Sequence, residues 1–164
     1  MIHLYDLIGA ASGVTVAGDS SGSGGSSSGS GNNTPSSRDD AQVQAEKDAI
    51  SSVRTFLRSQ KDARVRTVRF EDSSDGLILV VVYTTRFDAD SEEFADLERQ
   101  IAYGLSSLLP DMAAKPIALG LLSSSNDKPQ HRFLIANESA TQWMDGKLTD
   151  EEFEKSWLVE DAAQ

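Results

Sequence analysis

Apolar positions recur with a helical period from residue 43 onward. Val43, Ile50, Val53 and Leu57 fall on one face, with Phe56 beside them, and Gln60-Lys61-Asp62 ends the run. Ser37 stands where a cap would, placing Asp39 and Asp40 in the first turn. The pattern then changes to alternation. Ala63–Glu71 reads as a strand, with Val68 and Phe70 on one side and Arg66 in the same row. Asp72-Ser73-Ser74-Asp75-Gly76 is a turn, and Leu77–Thr85 (LILVVVYTT) is β-branched and apolar on both faces, as in a central strand. The two strands make a hairpin.

A second helix follows, capped by Asp90 or Ser91, with Phe94, Leu97, Ile101, Leu105 and Leu108 in its stripe and Pro110 past its end. Ile117–Ser123 and Gln130–Ala136 read as a second hairpin around Ser124–Lys128. Ala140, Trp143 and Met144 mark a short helix closed by Gly146. Thr149 and Glu152 have capping-box spacing ahead of a last helix that brings Phe153 and Trp157 together. The order is α-ββ-α-ββ-α-α. It predicts an α+β domain: a four-stranded antiparallel sheet of two β-hairpins with helices on one face. The expected core is Val53, Leu57, Val80, Val82, Phe94, Leu97, Ile101, Leu105, Leu119, Leu121, Phe133 and Ile135.

Upstream, the pattern divides the chain further. Residues 1–18 (MIHLYDLIGAASGVTVAG) hold a run of twelve small or apolar residues, Leu7–Gly18, a length that suits a signal-peptide core better than a membrane span. Residues 19–37 (DSSGSGGSSSGSGNNTPSS) are rich in Ser and Gly and bury too little apolar area to offset ordering. They read as a disordered tether reaching about 25 Å. Their glycines follow no strand and precede no helix placed to receive a phosphate, so they make no phosphate loop. Residues 38–164 are the single folded domain.

Composition narrows the function. The 164 residues carry 26 acidic and 15 basic side chains, a formal charge of −11. Nucleic acid and anionic membrane surfaces both require a basic face, so neither is an expected partner. Asp exceeds Glu and Arg exceeds Lys, a surface that holds water and ions as in a halophile; an ordinary acidic soluble protein is the other reading. With no cysteine and only His3 and His131, thiolate and His-rich metal sites are excluded, and no cofactor is implied.

The start of the chain, DLIGAASGVTVAG followed by Asp19 and SSGSGGSSSGSG, resembles a haloarchaeal secreted lipoprotein of the twin-arginine export type. Val16-Ala17-Gly18 matches the small-residue box and Ser20–Gly31 the tether. Asp19 stands where that family has its lipidated cysteine, and Met1–Asp6 contains no twin arginine, so the chain as written cannot take the lipid. The resemblance implies an extracellular or cell-surface setting; an incidental apolar tail on a cytoplasmic protein is the other reading. The closing stretch HRFLIANESATQWMDGKLTDEEFEKSWL is similar to small haloarchaeal domains of unknown function, which imply no activity.

Candidate chemistry is sparse. Asp88, Asp90 and Glu92 alternate as calcium-type oxygen ligands, but the loop lacks the glycine and distal glutamate of an EF-hand, and capping accounts for the same residues. His131 has no nucleophile placed for it by a GxSxG or SxxK pattern. Arg64, Arg66 and Arg69, with Arg86, form either a basic strip for an acidic partner or a charged sheet edge that deters aggregation. By strand parity Arg64 and Arg66 share one face and Arg69 takes the other. Trp143 and Trp157 serve either as a partner-binding platform or as packing between the terminal helices. Asn32 and Asn137 begin glycosylation tripeptides, relevant only to an exported chain. The expectation is a tethered extracytoplasmic module that binds a protein or surface component. A small hydrolase-like domain using carboxylates and a cytoplasmic helper protein are the alternatives.

Overall fold

A computed structural model describes residues 39–162; the signal-like segment, the Ser/Gly tract and the Ser37 cap lie outside the described residues. Helix α1 spans Asp40–Arg58, β1 Ala63–Ser73, β2 Gly76–Thr85, α2 Glu92–Leu108, β3 Ala118–Ser125 and β4 Lys128–Ala136. Helix α3 (Asn137–Met144), α4 (Asp150–Lys155) and β5 (Leu158–Asp161) follow.

The class is α+β, but the sheet differs from expectation in two ways. Among the described residues it has five strands in the order β1-β2-β3-β4-β5, and it is mixed. The two hairpins are antiparallel, as drawn, yet β2 and β3 pair in parallel, Ile78 with Ala118 through Thr85 with Ser125. The cause is α2. A 17-residue helix carries the chain back along the sheet, so β3 starts at the end where β2 started. The fifth strand replaces most of the expected last helix, which stops at Lys155, and Leu158–Asp161 pairs with β4 instead.

Local chemistry fixes the helix starts. Asp39, not Ser37, caps α1: its carboxylate accepts the Gln42 amide at 2.8 Å. Ser91 caps α2 by accepting the Phe94 amide at 3.1 Å. Thr149 and Glu152 close a capping box on α4, with bonds of 3.1 and 2.9 Å.

The helices pack on one sheet face. Ala49, Val53 and Leu57 of α1, and Leu97, Ile101 and Leu105 of α2, bury against Val68, Leu79, Val81, Leu119, Leu121, Phe133 and Ile135, while Phe94 is buried with its ring 6.1 Å from that of His131. Val80, expected in this core, faces the other way, where it joins Ile78, Ala118, Leu122 and Leu134; Val82 is only partly buried beside them. Val43, in the first turn of α1, is exposed, and the buried stripe of that helix begins at Ala49.

A bulge in β1 changes the parity of its arginines. The register jumps between Val65 and Thr67, so Arg66 is the extra residue. Arg64 opposes Thr84 and Arg69 opposes Val80, which puts Arg64 and Arg69 on the same face, contrary to the simple alternation.

Candidate functional site

The carboxyl ends of the parallel strands β2 and β3 lie together, and a cleft of about 380 Å³ opens there. Open sheets place ligands beyond the carboxyl ends of parallel strands, so this position is favourable in general. Lys61, Asp62 and Arg64 approach from the start of β1, Thr84, Thr85 and Arg86 from the end of β2, and Asn126 and Asp127 from the β3–β4 turn.

The floor is rigid because its hydroxyls are engaged. Asn126 and Asp127 are both in the left-handed region, with φ of 50° and 68°, as a two-residue hairpin turn requires. The Asn126 amide donates to Thr85 O and the Asp127 amide to Thr84 Oγ1, both at 2.8 Å. Ser125 Oγ donates to Phe87 O at 2.6 Å. These bonds strap the turn to the end of β2 and leave Thr84, Thr85 and Ser125 buried.

Charge collects on the rim. Lys61, Arg64 and Arg86 stand there, and Arg66 closes one side through an ion pair to Asp127, 3.0 Å long. Of these four cations, Arg66 alone has an ion-pair partner among the described residues. Asp62 and Asp127 also line the cleft, so four cations meet two carboxylates there, a local reversal of sign in a chain of net charge −11.

A second polar cluster lies on the helix-covered face. Glu98 of α2 is buried, and its Oε2 accepts Ser123 Oγ–H at 2.5 Å and meets His131 Nδ1 at 2.5 Å. His131 Nε2 is 3.7 Å from Asp161 of β5. The carboxylate therefore sits between the histidine and the serine. A nucleophile relay needs the histidine in the middle, and Ser123 is fully buried. The arrangement orients His131 and ties α2 to β3 and β4. The Tyr83 hydroxyl is buried nearby; burial, then the Glu98 carboxylate, raise its pKa.

The other expected residues are placed as follows. Asp88 contributes its backbone carbonyl to Ser91, while Asp90 and Glu92 are exposed around the α2 cap. Among the described residues, no three acidic or histidine side chains gather to hold a metal. Trp143 stacks on Phe153 with centroids 4.6 Å apart and planes 6° from parallel, and its indole donates to Asp150 at 2.8 Å. Trp157 meets Tyr103, Phe133 and Phe153 edge-on. Both tryptophans thus belong to one aromatic cluster under α3 and α4. Asn137, a possible glycan acceptor, donates its amide to Pro116 O at 2.6 Å, a bond a glycan would displace.

Sequence reasoning missed Glu98, Ser123 and Asp127. The signal for Glu98 was present: it lies four residues after Phe94 and three before Ile101, on the buried stripe. No family model matches the chain, and comparison with curated proteins and with solved structures gives no match.

Proposed function

We propose that the domain is a binding module whose recognition site is the cleft at the β2–β3 carboxyl ends, and that its partner is an acidic segment of another protein. The supporting observation is the rim: Lys61, Arg64 and Arg86 face a 380 Å³ cleft without ion-pair partners among the described residues, in an acidic chain. Two of the three are arginines, whose planar fork matches a carboxylate in bidentate fashion. That geometry matters if the chain works in concentrated salt. At about 1 M salt the screening length is only about 3 Å, so long-range attraction is lost and short paired hydrogen bonds remain.

The test is a titration of the full chain with a hexaglutamate peptide, followed by backbone amide shifts. Movement confined to Arg64, Thr85, Arg86, Asn126 and Asp127, and its loss in the Arg64→Glu/Arg86→Glu variant, supports the proposal. Saturating peptide with no shifts at these positions refutes it.

A further inference from the structure

The sheet ends at β1. Among the described residues no strand lies beyond it, and alternate residues of an edge strand turn their amides and carbonyls away from the sheet. The bulge at Arg66 divides this edge in two. Arg64 and the cleft lie before it. After it, residues 67–73 pair with β2 without a break, from Thr67 with Val82 to Ser73 with Gly76. A bulge ends pairing at an edge, whereas an unbroken edge is a template for one more strand. The opposite edge, β5, is poorer: it spans only Leu158–Asp161, and a two-fold axis there sets Glu160 against itself or Leu158 against Glu160.

The charges on β1 select the strand that fits. Arg69 and Glu71 oppose Val80 and Ile78 of β2, so they share one face, where they form an ion pair within the chain. Val68, Phe70 and Asp72 take the other face. A second copy presents the same edge. Opposed residues in an antiparallel pair point to the same face, so in a two-fold pairing some residue must face its own copy. With Arg69 at the axis, arginine meets arginine; with Glu71 there, glutamate meets glutamate. With Thr67 or Val68 there, the ladder runs into the bulge, and with Asp72 or Ser73 little ladder is left. With Phe70 at the axis, Arg69 of each copy faces Glu71 of the other, and Thr67 faces Ser73. Phe70 is only partly buried, and it gains an aromatic neighbour in its own copy.

We propose that the domain forms a two-fold dimer through β1, in which residues 67–73 of two copies pair antiparallel about Phe70 and continue one sheet across both chains. Each copy uses its single β1 edge, so the assembly closes at two. The net charge of −11 opposes association in general, but β1 itself carries three arginines against one glutamate and one aspartate. The ladder is short beside an interface of standard size, so the dimer dissociates on dilution. The bulge keeps Arg64 and the cleft outside the ladder, and the proposal does not rest on what the cleft binds.

Sedimentation of the full chain over about a hundredfold range of concentration should show the average mass rising toward twice that of one chain and no further. Arg69→Glu alone sets glutamate against glutamate across the axis, and Glu71→Arg alone sets arginine against arginine. Each variant is expected to self-associate about tenfold more weakly, with amide spectra showing the fold intact. An equimolar mixture of the two should recover the dimer, because each chain meets opposite charge in the other. The ion pair within each chain stays broken in the mixture, so recovery reports contact between chains alone. Three results overturn the proposal: a wild-type chain that stays single at every concentration, growth beyond two copies, or a mixture no more associated than its two components.

Discussion

Arg66, the extra residue of the β1 bulge, reaches across the end of β2 to Asp127 in the β3–β4 turn, Nη2 to Oδ1, at 3.0 Å. The bulge frees Arg66 from the alternation of the strand, and the turn holds Asp127 at φ 68°, where glycine would be more comfortable. The carboxylate pairs with one cation at the side of the cleft, while Lys61, Arg64 and Arg86 line it together with Asp62.

The ion pair therefore tunes binding more than folding. Both side chains are half exposed, at 47% and 59%, and exposed pairs contribute about 0–1 kcal/mol. Asp127→Asn is expected to change unfolding free energy by less than about 1 kcal/mol. It should tighten hexaglutamate binding, because Arg66 becomes a fourth available cation. Calorimetric titration of the variant beside the wild type decides; weaker binding would mean Arg66 needs Asp127 to hold it in place.

Glu98 should matter far more to stability. Its carboxylate is buried and bonded to both Ser123 and His131. Hydrogen bonds to charged groups contribute about 1.5–3 kcal/mol, and Glu98→Ala leaves the buried Ser123 hydroxyl only the long 3.5 Å contact to His131 O. A loss of about 2–4 kcal/mol in urea unfolding is expected for Glu98→Ala, with a smaller loss for Glu98→Gln. Equal losses for the two variants would show that charge plays no part.

Gly104 sets two effects against each other. It lies inside α2, where alanine would gain about 1 kcal/mol in helix propensity. A Cβ there would sit 2.1 Å from the ring of Phe56 on α1. Overpacking of this kind costs about 1–3 kcal/mol, so the clash wins and Gly104→Ala should be net destabilising. Combining it with Phe56→Leu should recover part of the loss, read by thermal unfolding of the single and double variants. No recovery would place the strain elsewhere.

The hairpins, the caps of α2 and α4 and the stripe of α2 were legible because each is written within about 20 consecutive residues, whereas the first cap was placed at Ser37 and falls at Asp39. Thr149 and Glu152 carry a complete capping box, and LILVVVYTT announces a strand apolar on both faces. The parallel pairing of β2 with β3 was not legible, since it depends on where α2 delivers the chain rather than on any strand's composition. The sequence LVED has two apolar residues and two acids, too short a signal to separate a strand from a helix end. The cleft stayed hidden for a related reason. Its residues come from positions 61–64, 84–86 and 126–127, and the bulge at Arg66 shifts the faces that simple alternation assigns.

Two tyrosines give the protein an alkaline limit. Tyr83 is fully buried, and desolvation followed by the Glu98 charge raises its pKa well above 10.0. Tyr103 is raised too, by burial first and then by its hydrogen bond to Glu154 at 2.5 Å. In the unfolded chain both ionise near pH 10. A folded pKa above the unfolded one means the unfolded state releases protons first, so stability falls as pH rises from about 10 toward the folded values and is fully present below that window. Urea unfolding followed from pH 8 to pH 12 should be flat at first and then decline. Tyr83→Phe should make the decline shallower, because the substitution removes one titrating group while keeping the ring in the core beneath α2. An unchanged slope in Tyr83→Phe would assign the decline to Tyr103 or to other groups that lose protons in that range.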